Sequence, residues 1–456
     1  MQPNTGYTLR VDGVRNEAGE AYAPLTRDFT TGTEAASPNA PTEVAFDRRV
    51  VSEGDAIASV TVAPDNQRLY ATTLTGDLLR WDIDQATGDL SNQQTITLPG
   101  NRTLIGMAFD PSDPNRLWFT NNDTVFGFGE AFTGKVSYID IAPGAAFNGE
   151  ITDYVQGLPR STRDHLTNGL DFGPDGALYV TQGGNSAMGA PDNAWGNRPE
   201  SLLSAAVLRV DPTLDAPAGG FNVRTDEAGD YDPTAPGAPV TLFGTGLRNS
   251  YDLEWHSNGQ LYVANNGSNT GGNSPDDPST ARDEGLTDGF KQPDYLYLVT
   301  QGGYYGHPNP SRGEYIRDGG NPTAGVDVAE VVTTEGREGY DVGVEPEPNY
   351  RGFAYDFGFN RSPNGTVEYR SNAFGGALAN KLLVVEYSGG DRILALTPEA
   401  DGTISGATVV ASGFNNPLDL TVHEPSGRIY LAEQLDRGSG TDDRLILLEP
   451  NSPASA

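Results

Sequence analysis

The sequence predicts an all-β chain dominated by a six-bladed β-propeller of four-stranded blades. Three observations carry that prediction. An apolar strand, a turn through Pro, Asp, Asn or Gly, and a Leu-Tyr-Val-like strand recur along the chain; the clearest copy runs Gly173-Pro174-Asp175-Gly176 into Leu178-Tyr179-Val180. The 57 Gly and 32 Pro suit many short strands and disfavour long helices. The third is the count: six units can each be assigned four strands, except that the sixth lacks its last one. Six such units close a ring in which radial repetition protects the sheet edges.

The elements follow in order. Tyr7–Val11 and Thr26–Thr30 alternate as strands around a polar segment. They resemble the last hairpin of a bacterial Ig-like domain of the S-layer type, so residues 1–33 are expected to be the tail of such a domain in a larger multidomain protein. Residues 34–42, small and polar with Pro, fit a linker. The propeller is assigned to 43–450 and a short tail to 451–456. The turn-plus-strand copies lead into Leu69-Tyr70-Ala71, Leu117-Trp118-Phe119, Leu178-Tyr179-Val180, Leu261-Tyr262-Val263, Leu382-Leu383-Val384 and Ile429-Tyr430-Leu431. Third strands are expected at Leu78–Ile83, Lys135–Ile139, Ala206–Val210, Tyr295–Val299, Arg392–Leu396 and Leu445–Leu448. Fourth strands are expected at Gln94–Leu98, Ile151–Val155, Val240–Phe243, Val326–Val332 and Ala407–Val410. Glu43–Val51 is the candidate for the missing strand that closes the ring. Long insertions at Ala187–Leu203, Asp211–Pro239, Ser268–Pro293 and Pro308–Pro348 place extra loops on units three and four, where sites are usually built.

Composition narrows the function. A net charge of −33 repels nucleic acid and anionic membranes. It suits a salt-rich or Ca²⁺-rich exterior as well as plain solubility. The chain has no Cys, hence no disulfide, thiolate ligand or thiol nucleophile. No apolar run reaches membrane-spanning length. MQPNTGYTLR is not a signal sequence, so an exported protein would carry its targeting segment upstream.

Chemistry concentrates before two innermost strands. There are four histidines, and Asp164-His165 is the one Asp-His pair. In a propeller that loop opens at the mouth of the central channel, where a neutral His165 oriented by Asp164 could serve as general base, or the pair could simply cap a strand. Arg248-Asn249 holds the same position one unit later; the guanidinium either meets an oxygen-rich ligand or pairs with one of the many carboxylates. The run from Asn265 through Gly267, Ser268 and Asn269 to Asp277 offers oxygen donors of the kind Ca²⁺ takes, or forms an acidic loop.

Together, Asp164-His165 with FGPDGALYV, then GLRN, then Asp294 to Pro308 (DYLYLVTQGGYYGHP) resemble the glucose/sorbosone dehydrogenase family over roughly Val44 to Pro450. These are soluble quinoprotein sugar dehydrogenases with a six-bladed propeller. The resemblance implies pyrroloquinoline quinone (PQQ) and Ca²⁺ at the channel mouth, a small sugar as substrate and a soluble electron acceptor. It casts His165 as the base with Asp164 as its orienting partner. Arg248 and Asn249 would contact the quinone, Gly267 and Ser268 would offer carbonyls to Ca²⁺, and Asn101 would contact the substrate. It also implies an extracellular, periplasmic or cell-surface location. The sequence departs from the pattern in three places. The Lys expected on the fifth blade is absent, leaving Arg392 nearby. The region before the sixth blade (Ser412 to Pro417) carries no Arg, and Gln182-Gly183-Gly184 stands where an Asp is expected. A tricarboxylate held by few cations binds weakly. Two other readings therefore stand beside the dehydrogenase: a non-catalytic extracellular propeller that binds carbohydrate or a protein partner, and a lactonase-like metal-dependent hydrolase.

Overall fold

The computed structural model describes residues 6–11, 25–30, 44–124, 127–141, 146–226, 229–323, 329–333, 339–435 and 443–451. The chain divides into two compact units, Met1–Glu43 and Val44–Ala456. In the first, Gly6–Val11 pairs antiparallel with Leu25–Thr30, Gly6 opposite Thr30. The linker expected over 34–42 lies outside the described residues, as does most of the tail.

The second unit is a six-bladed propeller of antiparallel sheets. Blade 1 is Ile57–Val62, Arg68–Thr73, Asp77–Ile83 and Leu90–Thr97. Blade 2 is Arg102–Phe109, Arg116–Asp123, Gly134–Asp140 and Ile151–Leu158. Blade 3 is Thr167–Phe172, Leu178–Gln182, Ala206–Val210 and Val240–Thr245. Blade 4 is Leu253–Trp255, Leu261–Asn265, Asp294–Val299 and Tyr355–Gly358. Blade 5 is Pro363–Tyr369, Lys381–Glu386, Arg392–Pro398 and Ile404–Ser412. Blade 6 is Pro417–His423, Arg428–Glu433, Arg444–Asn451 and, from the other end of the unit, Ala45–Glu53.

That last strand closes the ring as expected, with Arg444 opposite Glu53 and Asn451 opposite Ala45. Glu433 clasps the seam: its fully buried carboxylate meets Arg48 at 3.1 Å and Arg444 at 2.6 Å. One strand differs from expectation. The outer strand of blade 4 is Tyr355–Gly358, not Val326–Val332; the described part of the latter, 329–332, is not strand. There Ala329 and Val331 instead take part in backbone bonds with Gly319 and Gly320 inside the insertion. Alternating apolar residues specify a buried face without specifying which element covers it.

Two short strands were not foreseen. Phe221–Asn222 adds in parallel to the edge of blade 2, and Gly303–Tyr304 to the edge of blade 3. Both come from loops that follow the third strand of the next blade or lie within its insertion, and both cover an otherwise open edge.

The second strands are buried on both faces between adjacent blades: Leu69, Ala71, Leu117, Phe119, Leu178, Val180, Tyr262 and Ile429 are essentially inaccessible. Blade packing of this kind holds the innermost strands in place around the channel. Acidic residues stitch those strands together. Asp171 of blade 3 accepts the N–H of Trp255 in blade 4 (2.9 Å), Asp252 at the start of blade 4 that of Thr366 in blade 5 (2.9 Å), and Asp419 of blade 6 that of Val60 in blade 1 (2.8 Å). Gly169 and Gly365 make room for this: a Cβ on Gly169 would lie 2.6 Å from Asp252 Oδ1, and one on Gly365 would collide with Asp419.

Candidate active site at one mouth of the channel

The loops that lead into the innermost strands surround a cavity of about 710 Å³. All six blades reach it, through Leu74, Ile105, Asn168, Tyr251, Asn364 and Leu418.

His165 lies on its wall, two residues ahead of the innermost strand of blade 3 and only 2% exposed. Its Nδ1 is 2.8 Å from the carbonyl oxygen of Gly184. A carbonyl can only accept, so the hydrogen of the neutral ring is on Nδ1 and the lone pair is on Nε2. Nε2 has no hydrogen-bond partner among the described residues. Burial holds the imidazole well below its usual pKa; the nearby Arg248 charge lowers it further, with smaller contributions from His307 and Arg163, while the Gly184 bond opposes them. The ring stacks at a 40° tilt on Trp195, centroids 4.0 Å apart. Asp164 is exposed on the same wall and makes no hydrogen bond to the imidazole. The orienting contact expected of its carboxylate is made by the Gly184 carbonyl, on the Gln182-Gly183-Gly184 segment that departs from the family pattern.

Arg248 shares the cavity. Its Nε donates to Ala187 O (2.9 Å) and its Nη1 to Gly267 O (3.2 Å), and the guanidinium stands 5.5 Å from the Trp195 ring. Burial pulls its pKa down to about 10, opposed by the charges of Asp164 and Asp294, so it remains a cation at neutral pH. Asn249 lies beside it, its Oδ1 accepting from Asn168 Nδ2 at 3.0 Å. Gly267 is on the wall too, its N–H bound to Asp294 Oδ1 (2.8 Å). A Cβ there would strike the carbonyls of Gln292 and Pro293, which is why glycine occupies the position.

Two expected residues sit elsewhere. Ser268 is buried behind the wall: its carbonyl accepts the Gln292 N–H (2.9 Å) and its Oγ accepts from Arg317 (3.1 Å). Asn101 is exposed at the entrance to blade 2, its carbonyl bound to Thr124 N (3.2 Å), while Thr103 and Ile105 of the adjoining strand line the cavity.

The structure also brings in groups that no motif marked. Trp195 ends a short 3₁₀ turn, Asn193–Trp195, capped by Asp192. Asp294 accepts the N–H groups of Gly267, Arg361 and Ser362 (2.8, 2.7 and 2.9 Å). Asn266 lines the cavity with its Oδ1 buried and without a hydrogen-bond partner. The charged wall residues are Arg163 and Arg248 against Asp164 and Asp294. Arg392 is not among them: it is paired to the buried Glu386 at 2.6 Å.

No protein-family model matches the chain, and no curated protein sequence does. Solved structures do resemble it. One is a Thermus thermophilus protein described as a putative oxidoreductase (glucose dehydrogenase), with TM-score 0.55 and 20% identity, covering 89% of this chain and 100% of that one. The PQQ-bound aldose sugar dehydrogenase of Streptomyces coelicolor gives TM-score 0.55 at 16% identity, with 90% and 99% covered. The soluble aldose sugar dehydrogenase of Escherichia coli, in its apo form, gives 0.57 at 16%, with 89% and 100% covered. What the chain is shown to share with these sugar dehydrogenases, over nearly their whole length, is the six-bladed propeller fold.

Proposed function

We propose that this propeller is an oxidoreductase that oxidises an aldose or related sugar alcohol at a C–OH group, with PQQ as hydride acceptor and Ca²⁺ beside it. The observation that carries the reading is the state of His165: a neutral imidazole, its Nδ1–H fixed by a carbonyl, its Nε2 lone pair available at the wall of a polar cavity. A base so held takes the hydroxyl proton as the C–H bond of the same carbon breaks. Trp195 covers one face of the ring and keeps water off it.

The wall fits the reacting edge of such a cofactor. Arg248 remains cationic with Nη2 unbonded among the described residues, and Asn249 is next to it, so both can donate to quinone oxygens. The unpartnered Asn266 Oδ1, the Asp294 carboxylate and the Gly267 carbonyl are hard oxygen donors suited to Ca²⁺. When bound, PQQ supplies a two-electron acceptor whose quinone Ca²⁺ polarises. The Asp164 charge favours the guanidinium form of Arg248 and serves the site through it.

The same wall supports a second reading. Two arginines opposed by two aspartates give a tricarboxylate little net attraction, whereas the amides of Asn168, Asn249, Asn266 and Asn364 suit a neutral polyol. A carbohydrate-binding propeller would need no more. Calorimetric titration with PQQ, with and without Ca²⁺, followed by dye reduction over a sugar panel, separates the two. Ca²⁺-dependent binding and sugar-dependent reduction support the enzyme; sugar binding without PQQ binding replaces it with the recognition module. No helix among the described residues is long and apolar enough to cross a membrane. We place the protein outside the cytoplasm or at the cell surface, where a strongly acidic exterior and small-sugar oxidation agree.

A further inference from the structure

The insertion between the second and third strands of blade 3 touches the site at three points and is tied together by two of its own carboxylates. Gly184 O receives the Nδ1–H of His165 at 2.8 Å. The N–H groups of Asn185 and Ser186 donate to Glu200, at 2.9 Å each. Ala187 O receives the Nε–H of Arg248 at 2.9 Å. Asp192 accepts from the N–H of Ala187 (3.2 Å) and that of Trp195 (3.0 Å), whose ring covers His165. Of the two carboxylates, Glu200 has the more partners. The Glu200 side chain is fully buried, and it also accepts from Ser186 Oγ (2.6 Å) and Ser204 Oγ (2.6 Å) and lies 3.0 Å from His307 Nε2. Five donors converge on one carboxylate.

We infer that Glu200 is a positioning residue: by clamping Asn185 and Ser186 it fixes the neighbouring Gly184 and Ala187 carbonyls, and so sets the tautomer of His165 and the aim of Arg248. The carboxylate that commonly orients a basic histidine is thus one layer removed here, acting through main chain. The packing allows little slack. A Cβ on Gly184 would lie 3.0 Å from His307 Nε2 and 3.2 Å from Arg248 O, so the segment packs closely against both. If the carbonyl withdraws, nothing holds the hydrogen on Nδ1, and a ring protonated on Nε2 cannot take a proton from a ligand in the cavity. The catalytic part of this inference rests on the oxidoreductase reading; the tautomer part does not.

Glu200→Gln tests it. The carboxamide keeps one acceptor and turns an NH₂ toward donors, which conflicts with at least one main-chain N–H. The readout is the ring ¹⁵N–¹H correlation spectrum of ¹⁵N-histidine-labelled protein. With four histidines, signals are assigned by substitution. His256, bound to Asn380 O, and His423, bound to Ser426, are internal references for an intact fold. Wild type is expected to show a single Nδ1–H tautomer at His165. The variant is expected to show a mixture at His165 with His256 and His423 unmoved, and kcat about 100-fold lower, the scale of a misplaced reacting group, with KM little changed. Should Glu200→Gln not fold, Ser204→Ala removes one donor and is expected to shift the same signal less. A pure Nδ1–H tautomer in a folded variant overturns the inference. A tautomer shift in a protein whose wild type oxidises no sugar upholds the clamp and removes the dehydrogenase.

Discussion

Two buried acids in this molecule behave in opposite ways. Glu200, behind the cavity, is held down to about 2; Asp419, inside the channel, is pushed up to about 7. Burial raises both, and both are almost inaccessible. The difference is in what surrounds them. Glu200 collects two N–H groups, two hydroxyls and His307. Asp419 has chiefly the Val60 and Leu420 N–H groups and Ser59, and shares the channel with Asp252, whose own pKa is raised first by burial and then by the Asp419 charge. Donors decide whether a buried carboxylate is ionised, and like charges decide against it. Donors therefore keep Glu200 charged behind the loop-built mouth, while Asp252 and Asp419 in the strand-built channel are pushed toward their protonated forms.

The largest expected effect separates the two regions by function. His165→Ala should lower kcat about 100- to 10,000-fold, the range of general-base catalysis, and leave PQQ affinity largely intact. Asp419→Asn, in the channel, should leave turnover near wild type. Turnover that survives His165→Ala removes the base assignment; turnover lost in Asp419→Asn breaks the division between mouth and channel.

Next is stability. Glu200→Ala strands His307 and four other donors and should cost about 3–5 kcal/mol in denaturant unfolding, as for a broken buried pair. Asp419→Asn keeps an oxygen for the Val60 N–H and removes an acid whose raised pKa costs stability at pH 7, so at pH 7 it should be neutral to stabilising. Equal losses would mean that packing, not charge, distinguishes the sites. A smaller effect is expected at Arg248→Ala, which should weaken PQQ binding by about 1.5–3 kcal/mol, the worth of a charged hydrogen bond; unchanged calorimetric affinity removes its role in holding the quinone.

The same division governs what the sequence reveals. The blades are legible because each repeats one pattern, and the places of His165 and Arg248 on the cavity wall because both precede an innermost strand. Trp195 and Glu200 come from an insertion without periodicity. The Asp192 cap before Trp195 is a local signal, but nothing local to Glu200 announces that Asn185, Ser204 and His307 will converge on it. Asp164 beside His165 shows the complementary limit: adjacent residues need not hydrogen-bond, and the carbonyl that holds the ring is 19 positions away. Ser268 illustrates the same limit, since consecutive carbonyls at Gly267 and Ser268 point to different partners.

The smallest effect is a pH slope, and its sign is the sharpest check on the comparison. Glu200 has its folded pKa lowered from 4.5 to about 2, so its contribution is present at neutral pH and is lost as pH falls through that interval. Asp419 is the reverse. Its folded pKa is raised from 3.8 to about 7, so the folded state binds the proton more tightly; its contribution is full below 3.8 and is lost as pH rises through about 7. Up to about pH 6.5 His165 and His423, whose folded pKa values are lowered by burial, oppose the channel acids; above it Asp419 and its raised neighbours in the channel dominate, and wild-type Tm should fall as pH rises from about 6.5 to 8. The net charge of −33 pushes the same way, because self-repulsion grows with ionisation. Asp419→Asn isolates the channel, since it scarcely alters the overall charge yet removes one tight proton site. Its Tm should fall less steeply than that of wild type across this range. Parallel curves would mean that Asp419 is ionised throughout, and that the channel, like the mouth, supplies enough donors to keep its acids charged.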